Sequence, residues 1–220
     1  MKNVADINAK DRYGKTALHI AVIHNCEEIV KILIDNGADV NAIDGYLFRK
    51  LTPIHYAAIN NNTAITKLLI DAGADINFQT HEGSSPLIIA CCKNNTETAV
   101  VLIENGANVN EYYKAHNEYN CHYSPIKYAI KNGNGLLTKV LIFNGAFVAQ
   151  ETGFSPLHVA AIYNRADIID LLIANNAYVN VIYTTGGKHK KYYTPLDYAT
   201  QHNNIESIDK LISYGGIRKR

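Results

Sequence analysis

The chain has 220 residues, 47% of them hydrophobic and 19% charged. That is enough apolar material for a buried core and too little charge for a disordered polyelectrolyte. The formal net charge of +1 excludes a global field that would draw the whole protein to nucleic acid or a membrane.

The first residues, Met1, Lys2, Asn3, Asp6 and Asn8, are polar and lack an apolar stretch of signal-peptide length. The longest aliphatic runs, such as Val100-Val101-Leu102-Ile103, are far too short to span a bilayer. The cysteines Cys26, Cys91, Cys92 and Cys121 form no C-x-x-C pair, and three of them fall in segments read as helical. That usage suits a reducing compartment. A soluble, cytoplasmic protein is the expectation. Abundant Asn, Ile, Lys and Tyr without Trp suggest an AT-rich genome, such as that of a parasite, an intracellular bacterium or a large virus.

The elements repeat along the chain. Ala5-Asp6-Ile7-Asn8 reads as the tail of a preceding unit. Six copies of one pattern follow, opening at Thr16, Thr52, Ser85, Ser124, Ser155 and Thr194. The fullest versions are Thr52-Pro53-Ile54-His55-Tyr56-Ala57 and Ser155-Pro156-Leu157-His158-Val159-Ala160. Twenty-one residues later comes a Gly, or once Asn176: Thr16 to Gly37, Thr52 to Gly73, Ser85 to Gly106, Ser124 to Gly145, Ser155 to Asn176 and Thr194 to Gly215. From there to the next Thr or Ser the gap varies, at 15, 12, 18, 10 and 18 residues. Every insertion therefore falls in one linker.

Each 21-residue unit reads as two short helices. The Thr or Ser can cap the first with its hydroxyl, and Pro in the next position is pre-set for the first turn in five of the six copies. In the second copy this helix is predicted over Pro53 to Asn60. The second helix of the first copy is predicted over Glu27 to Asn36. Ile29, Val30, Leu33 and Ile34 make one apolar stripe, and Gly37 ends it in the left-handed region. In the fourth copy Gly133 and Gly135 stand where the second helix should start, so local softness is expected there. The polar, atypical sixth copy, ending at Ile217-Arg218-Lys219-Arg220, suits a capping unit.

This pattern resembles the ankyrin repeat, whose mark is T-P-L-H-x-A at a period near 33 residues. The resemblance implies an all-α fold with β-turn or hairpin fingers: an ankyrin-repeat solenoid of stacked helix-turn-helix units. The units would run over about 12–41, 48–77, 81–110, 120–149, 151–180 and 190–219 within a single domain 1–220, and 1–8 would be the tail of a truncated preceding repeat. It also implies a non-enzymatic scaffold for protein–protein interaction, acting as adaptor, inhibitor or host-directed effector. The alternative is the targeting array of a larger enzyme whose catalytic domain lies outside this chain. A monomer is expected.

In ankyrin-repeat proteins, partners sit on the fingers and the exposed side of the first helices, which form the concave face. Carried over, this selects the finger residue before each Thr or Ser (Lys15, Leu51, Ser84, Tyr123, Phe154 and Tyr193) and the residues after the small ones in the first helix, among them Ile23, Ile59 and Tyr163. The fingers add Tyr13, and the long ones among them add Tyr46, Phe48, Tyr113, Tyr183, Tyr192, Lys190 and Lys191. Their rings either recognise a partner or pack on neighbouring fingers and stiffen them. Lys188-His189-Lys190-Lys191 with Arg218-Lys219-Arg220 forms a local basic patch, read as solvated loop, as a seat for an acidic protein or, least of the three, as a nucleic-acid contact. The resemblance gives His19, His55 and His158 a structural role, bracing the finger from within the turn.

No nucleophile-base signature or phosphate loop is present. His116, Cys121 and His122 share one finger but make a poor tetrahedral set for zinc. Asp35, Asp71 and Asp170 are expected to face solvent. No metal, cofactor or small-molecule substrate is expected, and no membrane partner.

Overall fold

A computed structural model describes residues 6–45, 50–111, 123–150, 153–185 and 190–219. The chain divides into two compact units, Met1–Lys114 and Ala115–Arg220.

Unit 1 contains α1 (Ala17–Ile23), α2 (Glu27–Asp35), α3 (Pro53–Asn60), α4 (Thr63–Asp71), α5 (Pro86–Lys93) and α6 (Thr96–Glu104). Each odd-numbered helix packs on its even-numbered partner. Odd stacks on odd and even on even, α1 on α3 on α5 and α2 on α4 on α6. Helices of seven to nine residues are marginal alone, so their stability comes from this mutual burial. Leu18, Ile54, Ile65, Leu69, Leu87, Ile88 and Leu102 are fully buried between them. The stripe expected on α2 is only partly covered: Val30 is buried, but Ile29 is half exposed. Its counterpart Ile65 on α4 lies inside unit 1.

Unit 2 repeats the scheme with α7 (Pro125–Lys131), α8 (Gly135–Phe143), α9 (Pro156–Ile162), α10 (Ala166–Ala174), α11 (Pro195–Gln201) and α12 (Ile205–Ser213). A hairpin of β1 (Tyr183–Thr184) and β2 (Tyr192–Tyr193) precedes α11, pairing Tyr183 with Tyr193 and Thr184 with Tyr192 in antiparallel register.

The turn inside each helical pair needs one left-handed residue nine positions after the capping Thr or Ser. Asn25, Asn61, Asn94, Asn164 and Asn203 supply it, with φ between 51° and 61°. Gly133 supplies it in the fourth copy at φ 73°. Asn and Gly are the residues that tolerate this region at least cost. Neither glycine of the fourth copy therefore interrupts a helix. Gly133 lies outside the helix in a turn that favours glycine, and Gly135 is the first residue of a nine-residue α8 whose cap, Asn134 Oδ1, accepts from Leu137 N at 2.9 Å.

Four of the fingers differ in length but close the same way. A side-chain oxygen accepts the N–H of a residue at the finger's far side: Asp11 from Lys15 (2.8 Å), Asp44 from Leu51 (3.0 Å), Thr80 from Ser84 (3.0 Å) and Thr185 from Lys191 (3.1 Å). With the base clamped, extra residues at the tip cost little, because loop-closure entropy grows only logarithmically.

Candidate functional site

The histidines sit where each first helix meets the next finger. At His19 the backbone N–H of Thr16 donates to Nδ1 (3.2 Å), so Nδ1 is an acceptor and the proton is on Nε2, which donates to the Leu51 carbonyl at 3.3 Å. The same geometry joins His55 to Ser84 O (3.3 Å) and His158 to Tyr193 O (3.2 Å). All three rings are fully buried. Burial disfavours the imidazolium, holding His19 below its ordinary pKa and pushing His55 and His158 down to about 4. These neutral rings are used up as bridges.

In the other three copies the position holds Ile88, Lys127 and Asp197. Asp197 cannot donate, so it accepts. Its Oδ2 takes Thr194 N (2.8 Å), Thr194 Oγ1 (3.0 Å) and Lys219 N (3.1 Å), while Arg218 Nε lies 3.6 Å from Oδ1. The terminal segment thereby folds back on α11. Ile217 N donates to Asn180 Oδ1 (2.8 Å), and the Thr194 hydroxyl shares its one proton between Asp197 Oδ2 and the Ile217 carbonyl, 2.8 Å away. In unit 1, Asn41 and Asn77 Oδ1 accept the N–H of Asp75 and Asn108 in the same manner, and Asn8 accepts that of Asp39.

The finger rings expected to face a partner divide sharply. Tyr123 and Phe154 are only 4% and 5% exposed. Tyr123 packs against Tyr128 with ring centroids 5.0 Å apart. Phe154 stacks on His158 (5.4 Å) and meets Tyr183 and Tyr198 edge-on (5.2 and 5.9 Å). Contrary to expectation, neither ring is open to a partner: both are spent on internal packing, Tyr123 on the first helix that follows it and Phe154 on its own first helix and on rings of the next repeat. Tyr193 is half-buried against Tyr198 at 5.1 Å.

Other candidates remain accessible. Tyr13 is 39% exposed, with the Arg12 guanidinium 4.6 Å and the Lys15 ammonium 5.4 Å from its ring centre. Ile23, Ile59 and Tyr163 are half-buried at the ends of their first helices. The Lys131 ammonium stands 5.7 Å from both the Tyr163 and Tyr123 rings. Lys190 and Lys191 are exposed. Tyr46, Phe48 and Tyr113 lie outside the described residues, as do His116, Cys121 and His122.

Tyr192, a ring of the last long finger, is 53% exposed, and sequence reasoning passed over a cleft of about 450 Å³ lined by Tyr192, Tyr193, Asp197, Thr200, Gln201, Arg218 and Lys219. The fold-back of residues 217–219 creates one wall, and no local motif announces it. It also passed over Leu136, Phe143 and Phe147, all largely exposed in unit 2. Asp35 and Asp71 face solvent, but Asp170 is half-buried and engaged by Lys210 Nζ and Tyr214 Oη, both at 2.9 Å. Cys26 is the cap residue of α2, outside any helix. Burial raises the Cys91 thiol pKa, which keeps it protonated. Among the described residues no three His, Cys, Asp or Glu side chains are grouped to hold a metal ion, and no helix is long and apolar enough to cross a membrane.

Stacked helical hairpins joined by clamped fingers define a repeat scaffold, and sequence comparison gives its family. The profile of ankyrin repeats (3 copies) matches residues 45–113, 111–183 and 126–220, and that of ankyrin repeats (many copies) matches residues 19–70. The chain belongs to the ankyrin-repeat family. It is 37% identical over 97 residues to an ankyrin repeat protein of fowlpox virus, across 43% of this chain and 28% of that protein. A second fowlpox virus ankyrin repeat protein is 32% identical over 101 residues, 45% of this chain and 22% of that one. The matched stretches thus span about a quarter of these relatives. Among solved structures, the human ASB11 ankyrin repeat domain superposes with a TM-score of 0.74 at 30% identity, covering 94% of this chain and 86% of that one. The ankyrin repeat domain of Bcl-3, a member of the IkappaB protein family, gives 0.75 at 24% identity, with the same coverage. Ankyrin repeats generally mediate protein–protein interaction, and their fold is typically a non-catalytic scaffold.

Proposed function

We propose that this chain is an interaction scaffold that holds a protein partner on unit 2, against the β1–β2 finger and the exposed ends of its first helices. The observation that carries the reading is the cleft between that finger and α11, with Tyr192 exposed at its rim. Tyr192 offers a large, stiff contact at low entropic cost. Tyr163 beside Lys131 and the exposed Lys190 and Lys191 extend the same chemistry. In unit 1, Tyr13, Ile23 and Ile59 form a secondary contact region. The resemblance to fowlpox virus proteins supports a host-directed adaptor or inhibitor working in a host cytosol.

The test replaces single residues with a photo-crosslinking amino acid in the full chain, expressed in the native cell. Positions 192 and 163 should yield adducts with one and the same protein, and position 139 on α8 should not. Tyr163→Ala and Tyr192→Ala should reduce recovery of that protein. Unchanged recovery with an intact helical spectrum would reject the site.

A further inference from the structure

We infer that the cleft at the last repeat takes a short acidic segment of the partner, seated by carboxylates. This rests on the reading of unit 2 as the partner-binding unit and adds the partner's chemistry. Cations dominate the cleft and its rim. Arg218 and Lys219 line it, and Lys190 and Lys191 run directly into its lining residues Tyr192 and Tyr193. Lys190, Lys191 and Lys219 make no ion pair among the described residues.

The one carboxylate in the wall does not cancel this field. Asp197 is 9% exposed, and its oxygens already meet Thr194, the Lys219 backbone N–H and the Arg218 guanidinium. Four cations thus stand against one satisfied anion, in a chain whose formal net charge is only +1. Everything outside this corner therefore sums to a net negative charge. That concentration decides the size and kind of ligand. A nucleic acid carries one charge at every step and needs a basic track along its backbone. Beyond this corner it would meet a surface that is net repulsive. A run of a few Asp or Glu matches four cations in one place and ends where they end.

The rest of the lining suits an extended peptide. Tyr192 and Tyr193 present amphipathic rings, and Tyr193 is steadied by Tyr198 at 5.1 Å. Exposed Gln201 carries an amide able both to donate to and accept from a peptide backbone. The wall itself is fixed, because the bonds to Thr194, Asn180 and Asp197 hold residues 217–219 in place. Fixed cations lose less entropy when they meet an anion than tail residues free in solution would.

Fluorescence anisotropy with the full chain tests this, using a labelled octaglutamate peptide, an octaglutamine control and a single-stranded oligonucleotide of equal charge. Octaglutamate should bind, with an affinity that falls as salt is raised. Lys190→Glu with Lys191→Glu should weaken it by about tenfold or more, and Arg218→Gln by several-fold. Lys139→Glu on α8 should leave it unchanged. The inference is overturned if octaglutamate fails to bind, if Lys139→Glu weakens it as much as the cleft variants do, or if the oligonucleotide binds more tightly. Octaglutamate failure alongside crosslinks from position 192 would sink only the acidic chemistry. Failure of both would sink the partner site as well.

Discussion

Units 1 and 2 build the same helical pairs, yet they fill the finger position in opposite ways. Unit 1 places Lys15, Leu51 and Ser84 there, and unit 2 places Tyr123, Phe154 and Tyr193. In unit 1 the finger is held mainly by polar brackets, among them Tyr56 Oη donating to the buried Asp44 at 2.6 Å. In unit 2 a cluster of rings (Phe154, His158, Tyr183, Tyr193 and Tyr198) adds apolar cohesion to the same brackets. The difference extends to the ends of the second helices, where Asp35, Asp71 and Glu104 give way to the uncharged Phe143, Ala174 and Ser213, Phe143 being 90% exposed. A ring in a finger is therefore no sign of recognition by itself. Its use depends on whether the next repeat covers it.

The comparison breaks most directly at Phe154. Phe154→Ala should cost about 3–5 kcal/mol, the usual range for removing a buried phenyl ring. Hydrogen exchange should show the loss in α9 and α11, with α1 to α4 protected as before. Leu51→Ala, its counterpart, should cost about 2–4 kcal/mol and loosen α1 and α3. If the Phe154 variant lost less than the Leu51 variant, the ring cluster would not be what holds the finger of unit 2.

This outcome separates what was legible in the sequence from what was not. The constant interval from Thr or Ser to Gly, with Pro at the helix start, already implied paired helices. Pro53–Asn60 is α3 with the bounds that the residues suggest. The left-handed Asn nine residues after each cap was equally readable, and it explains why Gly133 is harmless. The fate of the finger rings was not readable, since Phe154 is buried by Tyr183 and Tyr198, 29 and 44 positions away, through a register that only folding sets. The cleft was hidden for the same reason. Asp197 looks like a lost histidine until the tail's N–H is seen to reach it.

Acid should affect both units through their bridging histidines. The unfolded imidazole titrates at 6.5, and the folded His55 and His158 at about 4. Between these values the unfolded chain binds more protons, so stability rises with pH there. The contribution is full above 6.5 and is lost as pH falls through 4, at about 3 kcal/mol per ring. Urea melts at pH 7, 5.5 and 4.5 should show this decline. His158→Asn should flatten the decline for unit 2 and leave that of unit 1. A decline equally steep in both units of that variant would remove His158 as its source.

The smallest effect is expected at Gly133, where unit 2 departs from the asparagines of unit 1. Gly133→Ala forces a β-carbon into the left-handed region, at a cost of about 1–2 kcal/mol. That carbon would also lie 2.8 Å from Cζ of Arg165, whose Nη2 donates to the Lys131 carbonyl at 2.9 Å. The guanidinium is the end of a flexible chain and can move aside, forfeiting that bond at about 1 kcal/mol. Gly133→Asn separates the two terms, because Asn25, Asn61 and Asn94 hold this backbone region in unit 1. It should recover most of the backbone cost and keep the crowding. Arg165→Ala in that background should then add little beyond the bond already lost. A large further loss would mean that the guanidinium keeps its hold on α7 whichever residue occupies position 133.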